Sequence, residues 1–161
     1  MPNCPIEIRV KLTYNTIRGD NMYTCTFFGH RDAPESIKSK LEQEIINLIE
    51  NESVDRFLVG NKGLYDSLVR NALENLSQKY NFTYYVVLAY LPKDNLVPKN
   101  SIMPTDFEKF SPKFAIDKRN EYMLNKSDFV ICYVTHHFGG AGKFMEKAIK
   151  KNKMVINIAD K

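Results

Sequence analysis

No stretch of this 161-residue chain approaches the roughly eighteen consecutive apolar residues of a membrane-spanning helix, and no charged-then-apolar leader stands at its start. A cytoplasmic protein with no membrane partner is therefore expected. Cysteine is scarce: Cys4, Cys25 and Cys132 are odd in number and show no paired metal-ligand spacing. Two of them fall in apolar strands, where cysteine acts as a small hydrophobe, so a reduced chain is expected rather than a disulfide framework. Histidine is equally sparse. The adjacent His136 and His137 would point opposite ways on an extended chain and no third ligand accompanies them, so neither a metal nor a cofactor is expected. The order of a Ser/His/Asp triad and the nucleophile elbow are both missing, which removes covalent hydrolase chemistry. Acidic residues are outnumbered, leaving a net charge of +4 that suits an anionic ligand. The clustered Lys143, Lys147, Lys150, Lys151 and Lys153 read as a solvated helix end complementing the C-terminal dipole. Without a broad basic patch interleaved with aromatics, nucleic acid is not the expected partner.

What is present is a regular alternation. Apolar, β-branched and aromatic runs over 23–28, 54–59, 82–90, 129–134 and 154–159 read as strands covered on both faces. Between them, apolar residues recur at helical spacing: Ile37, Leu41, Ile45, Ile46, Leu48 and Ile49, then Leu64, Leu68, Ala72, Leu73 and Leu76. Further helices are expected over 114–125 and 143–151, the last with Phe144, Ala148 and Ile149 on one side. Strands alternating with helices imply an α/β fold, a single Rossmann-like domain whose parallel sheet carries helices on both faces. That domain occupies 22–161. Residues 1–21 form an N-terminal segment, an edge strand over 6–12 or an appendage. The stretch 91–112 holds four prolines and no sustained period, so it reads as a long loop, a lid over a pocket or a plain connection.

Glycine is thinly used, seven residues in all, yet all but Gly19 stand just past a strand. The first strand ends at Gly29-His30-Arg31, the second at Gly60-Asn61-Lys62-Gly63, and the fourth is followed by Gly139-Gly140-Ala141-Gly142. Parallel strands end on one edge of the sheet, where α/β proteins bind ligands. Free N–H groups at a helix N-terminus and the helix dipole favour a phosphate or carboxylate there. Gly29, His30, Arg31, Gly60, Lys62, Gly63, Asp66, Gly139, Gly140, Gly142 and Lys143 are thus the candidate ligand-binding residues.

The set Gly29-His30-Arg31, Gly60-x-x-Gly63-x-x-Asp66, Arg119 before Ser127-Asp128, and Gly139-Gly140-x-Gly142 with Glu146 resembles the SLOG superfamily, named for the Smf/DprA and Lonely Guy (LOG) proteins. The likeness covers roughly 22–161 and is greatest to the short stand-alone bacterial and phage members. It implies a Rossmann-like domain binding a nucleotide or nucleotide-derived small molecule. The LOG branch hydrolyses the N-glycosidic bond of nucleoside 5′-monophosphates, and its pattern would make Arg119 and Glu146 catalytic. Here lysine stands at 143 where LOG proteins have threonine, and the segment 133–138 is longer than their turn.

The residue chemistry fits either outcome. Cleaving such a bond builds oxocarbenium character on the ribose, so a carboxylate by the sugar and a cation by the phosphate or leaving base are what the site needs. Glu146, expected in a first helical turn, could supply one and Arg119 the other. Glu146 could equally complement the helix dipole or pair with Lys150, and Arg119 could pair on the surface with Asp117 or Glu121. The expectation is a nucleotide-binding sensor or sequestering module, with a LOG-like phosphoribohydrolase as the alternative and self-association open.

Overall fold

A computed structural model describes residues 23–94, 96–104 and 109–159. The expected edge strand or appendage within 1–21 lies outside them. Among the described residues six strands, β1 (Tyr23–Gly29), β2 (Val54–Val59), β3 (Thr83–Val87), β4 (Ser101–Ile102), β5 (Phe129–Tyr133) and β6 (Met154–Asn157), form one sheet in the order β4-β3-β2-β1-β5-β6. Every pairing is parallel, with Cys25 opposite both Phe57 and Phe129 at the centre. Four α-helices connect them: α1 (Lys38–Asn51), entered through a 3-10 turn at Glu35–Ile37, α2 (Gly63–Leu76), α3 (Pro112–Asn125) and α4 (Gly139–Lys150). This is the expected single α/β domain, a parallel Rossmann-like sheet.

The pleat divides the core in two, because successive side chains of a strand face opposite ways. Cys25, Phe27, Phe57, Val59, Val86 and Ile131 point towards α1 and α2, meeting Leu41, Ile45, Leu48, Val69 and Leu73. Phe28, Leu58, Val87, Val130 and Cys132 point towards α3 and α4, meeting Met123, Leu124, Phe144 and Ala148. Phe27 stacks on Phe57 with centroids 6.1 Å apart, and Phe28 on Phe144 at 5.2 Å. Each such side chain removed from water contributes about 1.5–3 kcal/mol. Two apolar positions expected inside are outside: Leu64 and Ile149 are 57% and 55% exposed. Leu64 sits in the first turn of α2, whose N–H donates to the Arg31 carbonyl (2.8 Å) while the side chain turns to solvent.

Three boundaries differ from the periodicity. The loop after β3 contributes β4, which pairs with β3 through Val86 N–H to Asn100 O (2.9 Å) and Leu88 N–H to Ile102 O (2.8 Å). Two residues are too few to leave a periodic signal. The last strand, expected to be buried, is the opposite edge of the sheet, with Met154 39% exposed. Its end is locked by Asn157, whose side-chain amide donates to Val134 O (3.0 Å) and accepts from Val134 N–H (3.1 Å). Finally, α4 begins at Gly139 and not at 143, so the expected glycine turn is the helix's own first turn.

Candidate functional site

The carboxyl ends of β1, β2 and β5 open onto a cavity of about 460 Å³. β1 lies mid-sheet, with β2 on one side and β5 on the other, so the winding reverses beside it and leaves a crevice. Of the residues picked out in the sequence, Gly29, His30, Arg31, Lys62, Asp66, Arg119, Gly139 and Gly140 line this cavity. Gly60, Gly63, Gly142, Lys143 and Glu146 do not.

The β1 end forms one wall. A Cβ at Gly29 would run into the ring of Tyr65, which is wholly buried and donates its hydroxyl to the Ile131 carbonyl (2.8 Å). His30 follows, 8% exposed, its Nε2 accepting the Thr135 N–H at 2.9 Å. That bond makes Nδ1 the protonated nitrogen of a neutral ring. Burial, then the neighbouring His136, hold the His30 pKa below its ordinary value, against the pull of Asp32.

The β2 end holds two buried, oppositely charged side chains, Asp66 and Arg119. A Cβ at Gly60 would come within 2.5 Å of both Arg119 Nη1 and Asp66 Oδ2. Gly63 adopts φ +85° against the Arg31 backbone, a conformation that side chains disfavour. Asp66 reaches back along α2 to accept the Lys62 N–H at 2.9 Å, satisfying one of the helix's open donors. Burial pushes the Asp66 carboxyl up, while Arg119, the Lys62 N–H, Arg70 and Arg31 pull it down. Arg119, from α3, is only 3% exposed; its Nε donates to Asn120 Oδ1 (2.8 Å) and its Nη1 to Val87 O (3.2 Å). Nη2 makes no hydrogen bond among the described residues. Arg119 does not pair on the surface with Asp117 or Glu121: it is buried, while Lys143 holds Asp117 (3.1 Å) and Lys147 holds Glu121 (3.0 Å), tying α4 to α3. Lys143, expected at the ligand, is therefore occupied outside the cavity.

A further wall is the start of α4. Gly139 has φ +87°, and nothing lies within 4 Å of a Cβ built on Gly139 or Gly140, so backbone faces open space. Gly142 is different: a Cβ there would collide with the His137 carbonyl, so this glycine lets the preceding loop close onto the helix. Starting the helix at 139 also carries Glu146 two turns in, not one. Its carboxylate is half exposed, 3.8 Å from His137 Nδ1 and outside the cavity. Ser127 and Asp128 hold the scaffold: Ser127 Oγ donates to Met123 O (2.7 Å), and Asp128 accepts the Thr24 N–H (3.1 Å).

The sequence reading missed Asp32, Ile116, Asn120, Met123 and His136 as cavity residues. For His136, the place just ahead of the glycines is the signal in the sequence. No described residue of 91–112 lines the cavity, so the lid expectation finds no support; Ser101–Ile102 of that stretch pair instead with β3 at the sheet edge. Among the described residues, no cluster of three or more His, Cys, Asp and Glu could hold a metal, and no helix is long and apolar enough to cross a membrane.

A solved structure, that of DNA processing protein A (DprA) from Streptococcus pneumoniae, superposes on this chain with a TM-score of 0.62 and 16% sequence identity. The two share a Rossmann-like fold built on a parallel sheet. The match covers 83% of this chain and 49% of DprA, so the chain spans about half the length of that protein. At this identity the likeness concerns fold alone. No protein-family model and no curated protein sequence matches the chain.

Proposed function

We propose that this SLOG-like domain binds a nucleotide or nucleotide-derived anion in the cavity at the carboxyl edge of the sheet, as a sensor or sequestering module. The carrying observation is convergence: Arg31, Lys62 and the buried Arg119 share one 460 Å³ space with the side-chain-free backbone of Gly139 and Gly140. Cations and open N–H groups around one cavity fit a phosphate. A guanidinium held by Val87 O and Asn120 Oδ1 is already oriented, which reduces the ordering cost of binding. Binding is favoured over LOG-like hydrolysis because Glu146 faces His137 rather than the cavity, and chemistry tolerates misplacement less than affinity does.

The test is calorimetric titration with a panel of nucleoside 5′-monophosphates, with chromatography of the same samples for free base. Saturable binding without base release is expected. Release of base would support the hydrolase alternative, and absence of binding across the panel would sink the proposal.

A further inference from the structure

Three rings beside the cavity form a ladder that phosphate binding does not account for. His30 stacks on His136 with centroids 3.9 Å apart and planes 13° from parallel, and His136 stacks on Phe138 at 3.7 Å and 17°. The order runs from inside to outside: His30 is 8% exposed, His136 half-buried, Phe138 74% exposed. Both imidazoles are fixed. His30 is clamped by the Thr135 N–H and set edge-on to Tyr133 at 6.0 Å, and His136 Nδ1 bonds the Phe138 carbonyl at 3.0 Å. Phe138 therefore presents a rigid aromatic face to solvent between His136 and Gly139, two residues of the cavity wall. No side chain crowds the next two positions, Gly139 and Gly140.

We propose that Phe138 is the stacking platform for the ligand's heteroaromatic base, which adds a fourth ring to the ladder while the phosphate occupies the adjoining cavity. This rests on the binding reading above. The ring spacing within the ladder is already that of face-to-face aromatic contact, and a base would cover an apolar surface now in water. Pre-ordering by the two histidines lowers the entropy lost on stacking. Stacking is read through the π-face, so the platform selects for ring area: purine over pyrimidine over no base. The shared chemistry, a phosphate bearing a planar base, belongs both to a free nucleotide and to the end of a single strand.

The experiment titrates the wild-type chain, Phe138→Ala and Phe138→Trp with a purine nucleoside 5′-monophosphate, a pyrimidine one, ribose 5-phosphate and a 5′-phosphorylated oligodeoxynucleotide. Wild type should bind the purine nucleotide more tightly than ribose 5-phosphate, and Phe138→Ala should close that gap by about 5- to 150-fold, the range of one base stack, leaving ribose 5-phosphate affinity unchanged. The natural chain contains no tryptophan. Phe138→Trp thus supplies a single reporter, whose fluorescence should be quenched by the nucleotides and not by ribose 5-phosphate. Equal wild-type affinity for ribose 5-phosphate and the purine nucleotide would overturn the stack but keep the phosphate site; no binding of any phosphate would overturn both. A larger Phe138→Ala loss for the oligonucleotide than for the mononucleotide would support the stack and assign the base to a strand end. Because Phe138 is exposed, neither substitution should move the unfolding midpoint, and a large drop in it would count against a platform role.

Discussion

The two glycine-bearing ends that face each other across the cavity are built on opposite terms. At the ends of β1 and β2 the glycines are crowded: Gly29 lies under Tyr65, Gly60 under the Arg119–Asp66 pair, and Gly63 against Arg31. At the start of α4, a Cβ on Gly139 or Gly140 would meet nothing within 4 Å. The first group lets side chains pack where a Cβ would stand, and the second keeps space empty. One side is thus part of the core, and the other is open surface. The same residue type has opposite mutational consequences on the two sides.

The comparison is broken most severely at the buried pair. Arg119→Ala leaves the Asp66 carboxyl buried without its main charge partner, and the expected loss is about 3–5 kcal/mol of stability by urea unfolding. Adding Asp66→Asn should restore part of it, since the stranded charge goes too; a double variant no better than the single one would show that the two groups are not coupled.

A smaller effect comes from paired glycine substitutions. Gly29→Ala forces the buried Tyr65 ring aside, and about 1–3 kcal/mol should be lost, as for other overpacked cores. Gly140→Val should shift the thermal midpoint by only a few degrees, roughly a kcal/mol-scale change, while abolishing nucleotide binding by calorimetry. If Gly140→Val unfolds the chain as readily as Gly29→Ala, the contrast between the two sides is wrong.

Acid sharpens the contrast from inside the ladder. The His30 pKa is depressed in the folded chain, so between that value and the ordinary 6.5 the unfolded chain holds more protons. Stability from His30 is therefore complete above pH 6.5 and is lost as pH falls through the folded pKa. Urea midpoints compared between about pH 7.5 and about pH 5.5 should fall further in wild type than in His30→Asn. Equal slopes would remove His30 as the cause.

The smallest expected effect is at Lys143. Lys143→Ala removes a half-exposed pair with Asp117, worth about 0.2–1 kcal/mol, and should leave nucleotide affinity unchanged. A clear loss of affinity would return Lys143 to the site.

Much of this was legible in the order of residues. Apolar runs separated by helical periods set the strands, the helices and the parallel sheet, because burial on both faces demands continuous apolar strands and crossovers demand helices. The positions of Gly29, Gly60 and Gly139 marked the edge where the cavity opens, since parallel strands end together. The sheet edges were less legible: Ser101–Ile102 is too short for periodicity, and Met154–Asn157, an expected strand, is apolar without being deeply buried. The sequence could not say which glycine serves packing and which serves space, because that depends on Tyr65 and Arg119, which are distant in the chain from Gly29 and Gly60. Nor could it say that α4 starts at Gly139, which takes Lys143 and Glu146 out of the cavity, or that His30, His136 and Phe138 stack. Local pattern determines which elements form; only their assembly decides which side chains share a space, because those contacts are between residues the chain brings together last.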